Sequence, residues 1–137
     1  MKRSRTHFSE KSPHGWWIAT YIQRFEFKGS PAKSSSARCT AWENAVLIKA
    51  ATREVAYRKA VAEGKRNSTP GWSRVGNPPG RLGRWVYEGL TSLLPVYEKL
   101  ADGAELFWID RGRTTLGAVR RRVKAKAQLE VFSNHEK

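Results

Sequence analysis

The stretch Trp16 to Phe27, WWIATYIQRFEF, decides the fold. Its second half alternates, with Tyr21, Gln23, Phe25 and Phe27 on one face and Ile22, Arg24 and Glu26 on the other, the period of two that marks a β-strand. Downstream, Gly29-Ser30-Pro31 and Ser34-Ser35-Ser36 are turn-forming residues and predict a connecting loop. Ala37 to Ala50 then reads as a second strand through Trp42, Val46 and Ile48, pairing antiparallel with the first. Upstream, Met1 to Gly15 carries Lys2, Arg3, Arg5 and Lys11 with few apolar groups and predicts a basic arm.

Thr52 has the chemistry of a helix N-cap, and Glu54 stands in the first turn, where the positive helix end favours an acid. The expected helix runs from Arg53 to Glu63, buries Ala56, Tyr57, Ala60 and Val61, and closes at Gly64. Its alanines allow close packing on a sheet. From Lys65 to Arg84 the chain has five basic residues, no acids, three prolines and four glycines, which predicts a basic, largely irregular loop. Trp85 to Leu90 and Glu105 to Ile109 read as two further strands, separated by Pro95 and the turn signal Asp102-Gly103. In the tail, Val119, Val123 and Ala127 recur every four residues, while Ala125, Ala127, Leu129 and Val131 recur every two. Composition favours helix over strand there. The expected fold is therefore a single small α+β domain, with a roughly four-stranded, mainly antiparallel sheet, one packed helix and a basic C-terminal helix or strand. Residues 1–15 are the arm, 16–109 the core and 110–137 a basic extension.

Several residues in this order resemble a known family: Trp17 with Tyr21, Trp42-Glu43 before Val46-Leu47-Ile48-Lys49-Ala50, Thr52 to Tyr57 with Ala60, then Gly89 and Asp102-Gly103-Ala104-Glu105. They resemble a small bacterial family known only as a domain of unknown function, over roughly Trp16 to Trp108. The resemblance implies a compact sheet-and-helix domain and no assigned activity. The arm, the Gly/Pro-rich loop and the tail after Ile109 depart from that pattern.

A chain of 137 residues suits one core, and 39% hydrophobic residues with six Trp is too apolar for a disordered polycation. The 26 Lys and Arg against 12 Asp and Glu give a formal charge of +14, which attracts polyanions. Nucleic acid and an acidic protein surface are the expected partners, and charge does not separate them. The single Cys39 allows no internal disulfide and no multi-cysteine zinc site, which suits a reducing cytoplasm. The basic N-terminus is not followed by a signal-peptide apolar run, and no segment has the length of a membrane helix. Oligomeric state stays open.

No catalytic centre, metal site or cofactor is expected. His7 and His14 lie on the arm, His135 lies in the tail, and Cys39 has no partner motif. Asp102, Glu105 and Asp110 could serve a metal-dependent nuclease only if they converge, yet Glu105 and Asp110 would face opposite sides of an ordinary strand. Glu43, beside Trp42, reads first as the ion-pair partner of an arginine. The glycines between Gly71 and Gly83 match no phosphate-cradling pattern.

The residue set that could bind an anionic partner is Trp72, Arg74, Arg81, Arg84, Arg111, Arg113, Arg120, Arg121, Arg122, Lys124 and Lys126. Aromatic faces beside guanidinium groups can stack on bases while neutralising phosphate; the same pairs also occur where arginine stems cover buried tryptophan. Trp72, in the loop, is the leading candidate for stacking. The leading expectation is a non-enzymatic nucleic-acid-binding protein. The alternative is an immunity-like, antitoxin-like or phage or plasmid accessory protein that neutralises a protein partner, and a small nuclease or toxin domain is the third.

Overall fold

The computed structural model describes residues 11–29, 34–74 and 81–133. Lys2, Arg3, Arg5, His7, Pro31, the prolines and glycines of 76–80, and His135 lie outside the described residues. Trp16–Phe27 forms β1, Thr40–Lys49 forms β2 and Arg53–Arg66 forms α1. Gly83–Pro95 then forms β3, and β1 is the centre of a three-stranded antiparallel sheet in the order β2-β1-β3. The architecture is α+β, with one main helix on the sheet.

Registers follow the alternation of β1. Trp17 lies opposite Ile48, Ala19 opposite Val46, Gln23 opposite Trp42, and on the other side Phe25 opposite Trp85, so these residues share one face of the sheet. Ile18, Thr20, Ile22, Arg24 and Glu26 occupy the reverse face. Thr52 caps α1 as the sequence predicts, its hydroxyl accepting from Val55 N–H at 3.2 Å, with Glu54 in the first turn. The helix buries Ala56, Ala60 and Gly64, spaced by four, against Trp17, Ala19, Ile48 and Ala50. Tyr57, expected in that stripe, points to water.

Gly64 does not close the helix. It lies inside the last turns, where the absence of a side chain admits the ring of Tyr87 from β3. The helix continues to Arg66 and is capped at Asn67, whose N–H reaches back to the Glu63 and Gly64 carbonyls. The expected loop is also more regular than its composition suggested. Thr69 exchanges hydrogen bonds with Trp85, and Ser73 pairs with Gly83 through two backbone bonds of 2.9 and 2.7 Å, so residues 69–73 run along the outer edge of β3.

Two expected strands are corrected. β3 is longer than Trp85 to Leu90 because Glu88 and Thr91 are extra residues opposite β1, two bulges that restart the alternation and hide it in the sequence. Pro95 ends this edge strand rather than interrupting a connection, a position where a missing N–H is tolerated. The fourth strand, Glu105 to Ile109, is absent: the segment joins no ladder. After the turn at Gly103 it crosses the reverse face, and Phe107, Trp108 and Ile109 wall a groove floored by Ile18, Ala45 and Leu94. Its apolar run reflects that contact, not pairing. The basic tail is neither one long helix nor a strand. A six-residue helix α2, Leu116–Arg121, is followed by two short 3₁₀ turns at Lys126–Gln128 and Glu130–Phe132.

The Gly64 contact gives a stability test. Alanine is the better helix former by about 1 kcal/mol, yet Gly64→Ala should destabilise by about 1–3 kcal/mol because its methyl would meet the Tyr87 ring. Urea unfolding checks this, and adding Tyr87→Ala should make the Gly64→Ala substitution stabilising.

Candidate anionic-partner interface

The helix-bearing face is longer than the helix. β1 has 12 residues and spans about 40 Å, whereas the 14 residues of α1 span about 21 Å. The helix covers the half around Trp17 and Ala19, and the other half is finished with aromatic side chains. Trp42 from β2 and Trp85 from β3 reach across β1 until their ring centroids are 4.8 Å apart. Trp85 contacts Phe25 edge-on at 5.1 Å, and Phe25 contacts Phe27 at 4.9 Å. Edge-on and tilted arrangements place the positive rim of one ring on the negative face of the next. Trp42 remains 57% exposed, so the array presents ring surface to solvent.

Gln23 lies opposite Trp42 on one side and Tyr87 on the other and is buried, with its Oε1 lacking a hydrogen-bond partner. That desolvation costs about 1–3 kcal/mol. Gly83 is glycine because a side chain there would strike the Phe25 ring, so the close approach of β3 helps to fix the array.

One arginine borders it, and a second stacks on Trp72 on the reverse face. The Arg81 guanidinium lies 4.1 Å from the centre of the Phe27 ring, and that of Arg84 lies 4.2 Å from the centre of the Trp72 ring. Arg84 also pairs with Glu26 at 2.9 Å, and Arg24 bridges Glu26 at 2.8 Å and Glu88 at 2.6 Å. The Glu26 side chain is only 4% exposed beneath these two cations. The hydrogen bond from Arg24 holds the Glu26 carboxyl below the usual range, against the opposing effect of burial, with Arg84 adding to the lowering.

The predicted contact residues therefore divide into two groups. Trp72, Arg74, Arg81 and Arg84 belong to β3 or the segments beside it at the aromatic end of the sheet, with Arg81 over Phe27 and Trp72 half-buried under Arg84, which faces the reverse side with Glu26. Arg111, Arg121 and Arg122 line a separate recess of about 360 Å³ with Thr114, Ala118 and Val119. Arg113 and Arg120 are exposed on the same extension. Lys124 pairs with Glu130 at 3.5 Å, and Lys126 lies 5.0 Å from the Phe132 ring centre. Sequence reasoning missed Trp42, Phe25 and Phe27 as surface residues, since aromatic residues on a strand read as core. The available signal was length: a helix of the expected size could not cover every apolar position on so long a strand.

Asp102, Glu105 and Asp110 form no metal-holding cluster, and no other such group of His, Cys, Asp or Glu occurs among the described residues. Cys39 is exposed and unbridged. No helix among the described residues is long and apolar enough to cross a membrane.

Fold and surface together define a small α+β domain whose sheet extends past its helix as an aromatic, arginine-bordered surface. The chain belongs to the family described as a domain of unknown function (DUF4288), whose model matches residues 16–108. No curated protein and no solved structure matches it. The matched span includes all three strands, α1, Trp42, Trp72 and Trp85; the recess with Arg111, Arg121 and Arg122 lies beyond it.

The ion-pair network predicts acid sensitivity. Because the Glu26 carboxyl ionises below its unfolded value, its stabilisation is complete above the ordinary glutamate pKa of about 4.3 and is lost as pH falls through the lower folded value. Glu26→Gln should cost about 2–3 kcal/mol at neutral pH, by leaving Arg24 and Arg84 without their shared anion. Urea titrations across the acid range should show wild type converging on the variant as pH falls.

Proposed function

We propose that the protein is a non-enzymatic nucleic-acid-binding module that stacks unpaired bases on the Trp42–Trp85–Phe25–Phe27 surface. The observation that carries this reading is the continuous, partly exposed ring array with Arg81 at its border, on a chain of formal charge +14. Every base has a π-face, so such a surface binds single strands with little sequence preference, while guanidinium groups neutralise the backbone. Arg74 and Arg81 act on phosphate. Arg84, committed to Glu26, acts chiefly by holding Trp72 in place. The extension, through Arg111, Arg113, Arg120, Arg121, Arg122, Lys124 and Lys126, supplies a second phosphate-contacting region. A cytoplasmic address belongs to the same proposal.

A specific protein partner is the second reading, and a separate observation favours it. Leu116, Val119, Val123, Val131 and Phe132 are exposed on the basic extension, more apolar surface than phosphate contact requires. An immunity-like, antitoxin-like or phage or plasmid accessory protein covering an acidic target with an apolar centre would use such a segment.

Fluorescence anisotropy with labelled single- and double-stranded DNA and RNA over a salt series decides between them. Saturable single-strand binding near physiological salt is expected, weakened by about 1–3 kcal/mol in Trp42→Ala. Arg81→Gln should flatten the slope of log affinity against log salt by about 0.7 on single strands. Binding that is lost at physiological salt and indifferent to Trp42→Ala would overturn the proposal and leave the protein-partner reading.

A further inference from the structure

The reverse face of the sheet carries a site of opposite electrostatic character. The groove beneath residues 107–110 is an open recess of about 710 Å³, within the size range of small-molecule sites. Its floor and walls are mostly apolar, and no lysine or arginine lines it, although the chain has 26 of them. Two carboxylates do: Glu43 from β2 and Asp110 from the crossing segment.

These acids differ from those that form ion pairs. Glu26, Glu54, Glu63, Glu88 and Glu130 each pair with an arginine or lysine. Glu43, expected to do the same, instead accepts a 3.0 Å hydrogen bond from the Thr91 hydroxyl. Thr91 is one of the two bulge residues of β3, and a bulge re-aims the side chain it carries. Asp110 accepts from the Gly112 N–H at 2.7 Å, which fixes its carboxylate at the end of the crossing segment. Neutral donors thus orient both acids without cancelling their charge. Trp108 also lines the groove and stacks on Tyr97 with centroids 5.8 Å apart.

We infer that this groove binds a small organic cation, a primary amine on an aromatic or aliphatic body. The ammonium would lie between the Glu43 and Asp110 carboxylates and the apolar body against Ile18, Leu94 and Trp108. Charge complementarity selects the class: two oriented carboxylates beside apolar and aromatic walls favour a cation with an apolar body, and a purely apolar or anionic ligand gains nothing from the carboxylates. The inference is independent of the proposed nucleic-acid surface, which uses the other face of the sheet.

Phenethylamine, 2-phenylethanol and phenylacetate share one body and differ in charge. Titration of the full chain with each is followed through the Trp108 indole N–H resonance in ¹H–¹⁵N spectra, assigned with Trp108→Phe. Phenethylamine should shift this signal saturably, with 2-phenylethanol about tenfold weaker and phenylacetate weaker still. Glu43→Gln and Asp110→Asn should each lower phenethylamine affinity about tenfold, while Thr91→Val, which frees Glu43 from its donor, should lower it less. Trp42→Ala should leave it unchanged, so failure of the base-stacking surface and failure of this site are separable. Equal affinity for all three compounds, stronger binding of phenylacetate, no shift with phenethylamine, or indifference to both carboxylate substitutions would each overturn the inference.

Discussion

The close approach of α1 to β1 over Trp17 is the contact from which the rest of the structure follows. The indole is 2% exposed, and its N–H donates to the Ala50 carbonyl at 3.0 Å, so the largest buried side chain has its polar atom satisfied. Burial of such a ring contributes about 1.5–3 kcal/mol, and it is possible because Ala56, Ala60 and Gly64 present almost no side chain to the sheet. The same bond ties the chain just before the helix to the first strand. A helix seated this close leaves no room to slide towards Phe25 and Phe27. Its position therefore determines which half of the face becomes core and which half becomes surface.

Much of this was legible in the residues. The alternation of Tyr21, Gln23, Phe25 and Phe27 identified β1, and Thr52 followed by Glu54 located the start of α1 to the residue. What failed has physical causes. Gly64 was read as a stop signal because glycine commonly ends helices, whereas here it makes room for Tyr87, a residue distant in sequence. Glu88 and Thr91 broke the period of β3, and bulges carry no residue signature of their own. Leu106 to Ile109 is continuously apolar because it crosses a sheet face, and a short apolar run does not separate that from strand pairing. Within the candidate interface, Trp72 and the loop arginines were visible through composition. The ring array was not, because its members are brought together by registers on three different strands.

Net charge proved a coarse guide to individual arginines. Arg24 and Arg84 enclose the Glu26 carboxylate, and their charge is largely spent within the fold. Recruiting Arg84 to a phosphate would expose a buried carboxylate to an uncompensated environment, a large cost compared with a surface contact. The other basic residues of the candidate interface lie on the edge segment and the extension. They flank the aromatic surface or lie beyond the family-matched residues, so the charge-bearing parts are also the least constrained by the core.

Strand geometry has a further consequence for how this protein can diverge or be dissected. On β1, Phe25 and Phe27 serve the aromatic surface while Ile18 and Thr20 serve the acidic groove, and the two sets differ only in the parity of their positions. A substitution at one position alters a single face, because successive side chains point to opposite sides. A one-residue slip of β1 would exchange both sets at once and also remove Trp17 from beneath the helix. The energy that fixes the Trp17 contact therefore fixes the register, and the register keeps a basic aromatic surface and an acidic groove on opposite sides of one thin sheet.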